Sequence, residues 1–221
     1  LLIMEAVEEG KINLDDNISI STNASSMGGS QVFLDPNTEM KAEELIKSIA
    51  IASANDSAVA MAEAISGTTA NFVSRMNSRA KELGCKNTNF KNVHGLDEEG
   101  HYSTAYDMSL IARELLKHEQ ILKYTSTYEA YLNKPNGTST WMVNTNKLIK
   151  YYTGLDGLKT GFTKTAGYCL TSTAKRNDMR LISVVMKEPS SQVRNSETIS
   201  LLNYGFSNYK IKTILKKDQK L

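Results

Sequence analysis

Two short stretches combine residue types and spacing that could act on a bound ligand. The first is Lys159-Thr160-Gly161, set in Gly154-Leu155-Asp156-Gly157-Leu158-Lys159-Thr160-Gly161-Phe162-Thr163, where three glycines surround one lysine and its neighbouring hydroxyl. Strand-like runs follow at Tyr168–Ala174 and Met179–Met186, separated by Arg176-Asn177-Asp178. Asn-Asp suits a tight turn, because short polar side chains tolerate left-handed backbone. Lys159 is therefore expected on a strand beside an antiparallel hairpin, where flanking glycines let a ligand backbone approach. The alternative is an ordinary edge strand with a solvated lysine. The second stretch is Ser53-Ala54-Asn55, in a break between two helical patterns. Its hydroxyl can relay a proton and its amide can hydrogen-bond a peptide group. The alternative is that Ser53 and Asn55 merely cap a helix starting near Asp56.

The elements that would hold these residues can be read from periodicity. Residues 1–9 read as a buried helix stopped by Gly10, and residues 11–40 as irregular chain with a short strand near 17–21. Asp35-Pro36-Asn37 and Pro135-Asn136-Gly137 are turn signals. Helical patterning runs from Lys41, breaks at residues 53–56, and resumes to Gly67. Residues 69–83 form an amphipathic helix with Phe72, Val73, Met76, Ala80 and Leu83 on one side. Residues 85–102 read as loop. Thr104 and Asp107 have capping-box spacing before the next helix, residues 122–132 are ambiguous, and a last helix over 191–206 is expected to close on Gly205. Helices in the middle with a hairpin and helix at the end predict an α+β core carrying a helical lobe.

Composition narrows the classes. The 221 residues are 40% apolar and 23% charged, with net charge +2, which argues for neither nucleic acid nor an anionic membrane. The basic tail from Lys210 to Lys220 reads as a solvated end. No stretch reaches the ~18 apolar residues of a membrane span. Cys85 and Cys169 form no disulfide framework, and with His94, His101 and His118 they show no metal-like spacing, so no metal or cofactor is expected. Cys169, inside a strand pattern, reads as a small buried hydrophobe. The chain starts in mid-pattern at Leu1, as a fragment would, so the absence of a leader segment is uninformative about compartment.

Ser53-Ala54-Asn55 followed by Lys159-Thr160-Gly161 resembles, in that order, the penicillin-recognising serine enzymes. Gly28-Gly29-Ser30, Ile51 to Asp56, His94-Gly95-Leu96, Tyr102 to Ala105, Asn144 to Leu148 and Gly154 to Leu170 are similar to the low-molecular-mass D-alanyl-D-alanine carboxypeptidases. The resemblance implies a β-lactamase/transpeptidase-like fold, with an antiparallel sheet flanked by helices and an inserted all-helical lobe, the sheet incomplete over these residues. It implies a catalytic domain over 1–206 and, over 207–221, an extension toward a second domain. It also implies a serine acyl-enzyme that removes the terminal D-alanine from peptidoglycan stem peptides outside the bacterial cytoplasm, with β-lactams as inhibitors and any membrane anchor lying elsewhere.

On the same resemblance, Lys159 and Thr160 would bind the substrate carboxylate, with Gly161 beside them in the substrate-binding strand, and the Phe162 N–H would be an oxyanion donor. Ser53 would sit in the proton path, and Asn55 would hold the substrate amide. The family's Ser-x-x-Lys nucleophile and base are expected just ahead of Leu1. Ser78-Lys81, Ser172-Lys175 and Ser207-Lys210 match the spacing but come after Ser53, out of order. A β-lactamase would add a deacylating glutamate in Glu-x-x-Leu-Asn between Asn55 and Lys159, and Glu129-Ala130-Tyr131-Leu132-Asn133 has that spacing, so this alternative stays open. A non-catalytic peptidoglycan- or penicillin-binding module is the remaining alternative.

Overall fold

Helix α1 (Leu2–Glu8) opens the chain, with Met4 and Ala6 buried, and Gly10 in left-handed conformation follows its end. Strand β1 (Asn17–Ser19) pairs antiparallel with β2 (Glu39–Lys41), and between them lies the short helix α2 (Thr22–Ser25), capped by the Ser21 hydroxyl. In the computed structural model, residues 1–212 and Ile214 are described; most of the expected solvated tail falls outside them.

The helical lobe follows. Helix α3 (Ala42–Ala52) buries Leu45, Ile46, Ala50 and Ile51 along one side, with Glu43 and Glu44 in its first turn, where acidic side chains oppose the helix dipole. Helix α4 (Asn55–Ser66) is buried nearly all round over its first two turns. The expected four-residue break narrows to Ser53 and Ala54. Helix α5 (Thr69–Glu82) is capped by Thr68. Residues 85–102 are loop, as expected, apart from one bridge between Asn89 and Tyr102. Helix α6 (Ala105–Leu115) is capped by Thr104, whose hydroxyl accepts from the Asp107 N–H. The other half of the box does not form, because the Asp107 carboxylate accepts instead from the Asn87 N–H and the Thr88 hydroxyl.

The ambiguous 122–132 stretch is half of each type: helix α7 (Ile121–Thr125), then strand β3 (Glu129–Asn133), which pairs with β4 (Ser139–Val143) around the turn containing Gly137. Leu132 and Met142 on the inner face of that hairpin complete the helical core with Leu45, Ile51 and Met61.

Helix α8 (Leu148–Tyr151) leads into the main sheet, with β5 (Leu155–Thr163), β6 (Gly167–Arg176) and β7 (Met179–Glu188) antiparallel in the order β5-β6-β7. Helix α9 (Ser191–Asn208) crosses β6 and β7, and a second core of Leu148, Leu155, Leu170, Ala174 and Leu202 forms there. Gly205 does not end this helix. It is buried inside it, where a Cβ would lie 2.5 Å from Leu181 Cδ1, so its role is close packing of helix on sheet. No helix among the described residues is long and apolar enough to cross a membrane. The two cores meet where the Thr125 hydroxyl donates to the Asp156 carbonyl (2.8 Å) and Asn146 Nδ2 to the Gly157 carbonyl (3.4 Å).

Candidate active site

Among the described residues strand β5 is a sheet edge, so one row of its backbone groups has no strand partner there. Within it Lys159 stands opposite Thr171, Thr160 opposite Leu170, Gly161 opposite Cys169 and Phe162 opposite Tyr168. Lys159 is not the solvated lysine of an ordinary edge. Its Nζ donates to the Thr160 carbonyl at 2.8 Å, and burial, reinforced by the positive charge of Arg194, lowers its pKa from the ordinary 10.5 to about 8. Desolvation penalises the charged form and a like charge adds to the penalty, so an incoming anion would relieve both. The Phe162 ring is exposed and lies 4.3 Å from that of Tyr168.

Arg194 is the residue that sequence reading missed. It is 5% exposed, and among the described residues its guanidinium hydrogen-bonds only to Asn195 Oδ1, at 3.2 Å from Nε and 2.9 Å from Nη2. Burial lowers its pKa too. No motif surrounds it, but one signal was available. Arg194, Thr198, Leu202 and Gly205 form the buried stripe of α9, and a cation heading such a stripe needs a reason.

The serine–asparagine corner is built by a helix ending and another starting. Ser53 closes α3 in left-handed conformation (φ 61°, ψ 39°), and Ala54, without a side-chain cap, precedes α4. Neither the Ser53 nor the Asn55 side chain caps the start of α4. Asn55 instead holds the preceding loop, its N–H donating to the Ser30 carbonyl and its Nδ2 to the Gly28 carbonyl, each at 2.8 Å.

A ring of contacts joins this corner to β5. On one side the Thr145 N–H donates to the Ile51 carbonyl (3.2 Å), and the Thr160 hydroxyl bonds the Thr145 hydroxyl (2.7 Å). On the other, a Cβ on Gly29 would lie 2.7 Å from Asn55 Nδ2 and 3.5 Å from Leu96, while Thr163 donates to Asp97 at 2.6 Å. These contacts form a ring that ties Asn55 and the end of α3, which Ser53 closes, to the strand that carries Lys159 and Thr160. A cavity of about 250 Å³ opens against the strand half of it, lined by Lys159, Thr160, Gly161, Cys169 and, from α6, Ile111 and Leu115. Ser53 and Asn55 do not line that cavity. Cys169 is half-buried and lines it, rather than being the buried hydrophobe its strand pattern predicts.

The three Ser-x-x-Lys matches sit elsewhere. Ser78 lines an open cleft against α1, Ser172 is buried in β6, and Ser207 is exposed near the end of α9.

A family model described as D-alanyl-D-alanine carboxypeptidase matches residues 1–190. The D-alanyl-D-alanine carboxypeptidase DacF of Bacillus subtilis is 53% identical over 219 residues, covering 99% of this chain and 56% of the relative. DacA of Escherichia coli is 37% identical, covering 93% of this chain and 52% of the relative. The chain spans about half the length of the curated relatives it matches. Among solved structures, the carboxypeptidase DacD from Francisella tularensis superimposes with a TM-score of 0.92 at 29% identity, over 99% of this chain and 64% of that one. Penicillin-binding protein D2 from Listeria monocytogenes, in its ampicillin-bound form, does so at 0.81 and 31% identity, over 93% and 82%.

Proposed function

This chain belongs to the D-alanyl-D-alanine carboxypeptidase family, and on that footing we propose that the intact protein is a serine-type D-Ala-D-Ala carboxypeptidase of the bacterial cell envelope, acting on peptidoglycan stem peptides. Residues 1–206 form its penicillin-binding unit. The single observation that carries the reading is the pair of neighbouring cations, Lys159 and Arg194, with no carboxylate partner among the described residues, at the edge of β5. A chain terminus ending in a carboxylate, with an extended backbone behind it, satisfies both features. The carboxylate takes the two cations and the Thr160 hydroxyl, and the backbone pairs along the strand edge.

The remaining roles follow from position. Gly161, without a side chain, keeps the strand edge open to the substrate. The Phe162 N–H stabilises the oxyanion of the tetrahedral intermediate. Asn55 holds the substrate amide, and Ser53 passes a proton to the leaving D-alanine. The acyl bond forms on the serine of the Ser-x-x-Lys motif that the family resemblance puts ahead of Leu1. Water then releases it. Labelled penicillin applied to the intact protein tests the reading. A lasting covalent adduct supports it, reversible binding supports a non-catalytic module, and rapid turnover supports a β-lactamase. The structure of the Listeria relative with ampicillin bound favours β-lactams as ligands of this site.

A pH dependence follows from the lysine. With its pKa lowered to about 8, Lys159 loses its charge as pH rises through 8 instead of 10.5. The carboxylate then faces one cation fewer, so KM should climb between pH 7.5 and 9, measured by D-alanine release at saturating and sub-saturating peptide. A KM flat to pH 10 would remove Lys159 from carboxylate binding.

A further inference from the structure

Phe33 holds a conformation that its own side chain disfavours. Its φ is 58°, the left-handed region that glycine and asparagine enter readily and bulky side chains rarely do. The ring gains little packing in return, being 64% exposed. Strain of this kind persists only where the surroundings over-determine it, and here they do. The N–H groups on either side of it, those of Val32 and Leu34, both donate to the fully buried Asp56 carboxylate, at 3.1 Å each to Oδ2. Lys134, from the β3–β4 hairpin, donates to the Phe33 carbonyl at 2.6 Å. Asp56 directly follows Asn55, which grips the same loop at Gly28 and Ser30. The backbone around Phe33 is therefore fixed to the corner that carries the candidate amide-binding residue.

We infer that Phe33 is a substrate-contacting, specificity-determining residue, locked outward by the Asp56 and Lys134 clamps to meet the stem peptide upstream of its D-Ala-D-Ala end. The inference rests on the carboxypeptidase reading. Three residues of chain separate Ser30 from Phe33, a reach of roughly 10 Å when extended. That reach is an upper bound, and it keeps the Phe33 backbone within about three residues of extended peptide of the Ser30 carbonyl that Asn55 holds. An aromatic face there suits the backbone and aliphatic carbons of that upstream segment. A dipeptide substrate is too short to reach it.

The test compares Phe33→Gly and Phe33→Asn with the wild type in the intact protein, on a stem pentapeptide and on N-acetyl-D-Ala-D-Ala. Both variants relieve the φ strain and remove the ring. The expected result is a kcat/KM for the pentapeptide that falls about tenfold more than that for the short peptide. Melting temperature should rise by about 2–4 °C with glycine. Asp56→Asn, which loosens the clamp and leaves the ring, should repeat the length-dependent loss without that rise. Equal losses on both peptides, no loss on either, or a lower melting temperature for Phe33→Gly would overturn the inference. Wild-type turnover of the two peptides reports on the carboxypeptidase reading, and the variant-to-wild-type ratio reports on Phe33, so the two fail separately.

Discussion

Replacing Lys159 with alanine in the intact protein should slow penicillin acylation about 100-fold while leaving the protein as stable as before, or more so. The kinetic loss corresponds to a charge-assisted hydrogen bond, on the order of 1.5–3 kcal/mol, made in a partly desolvated groove. The stability expectation has the opposite sign, because the folded state gains nothing from this cation. Burial and Arg194 both disfavour its charge, and its one hydrogen bond among the described residues goes to the Thr160 carbonyl beside it. Function-bearing groups that cost stability are common in binding sites. Linkage supplies an internal check. The folded pKa of about 8 lies below the ordinary 10.5, so the unfolded chain binds the extra proton between those values. Wild-type stability should therefore rise from pH 8 to 10.5 relative to Lys159→Ala, and the two should run parallel below pH 8. Stopped-flow acylation and thermal melts across that range measure both halves. A variant that acylates like the wild type would remove the carboxylate assignment.

Gly154→Ala should be the most damaging single methyl group near the site, costing about 4 kcal/mol. Two penalties add. The residue has φ +86°, which an alanine side chain resists by about 1–2 kcal/mol. A Cβ there would also lie 2.3 Å from the Lys175 carbonyl oxygen, and backbone cannot swing aside as a flexible side chain can. That carbonyl belongs to β6, and the Lys175 N–H donates back to the Gly154 carbonyl at 2.8 Å, so movement would break the start of the β5–β6 pairing. Against a typical domain stability of about 5–15 kcal/mol the loss is large. It should appear as a fall in urea midpoint at unchanged m-value, and a midpoint within error of the wild type would refute the collision argument.

Much of this was legible in the sequence because local chemistry and global fold agree. The apolar spacing of α3, the cap at Thr104 and the turn before β7 each follow from short-range rules. Ser53 and Asn55 stood out because they interrupt a helical pattern, and the structure puts them at the junction of two helices. What stayed hidden depends on long-range contacts. Residues 122–132 mix helix and strand because tertiary packing settles a short apolar run. Gly205 looked like a helix stop because the facing Leu181 cannot be seen from the sequence around it. The Asp56 clamp spans more than twenty residues, and Arg194 meets Lys159 only after α9 folds across the sheet.

The closeness of Arg194 to Lys159 has a calorimetric consequence. An anion settling between the two cations would return the Lys159 ammonium toward its ordinary proton affinity, so above pH 8 each binding event should draw a proton from the medium. The heat of association would then include the buffer's own ionisation heat. Titrations in triethanolamine and in Tris at pH 8.5 should give different apparent enthalpies for the same ligand and the same affinity.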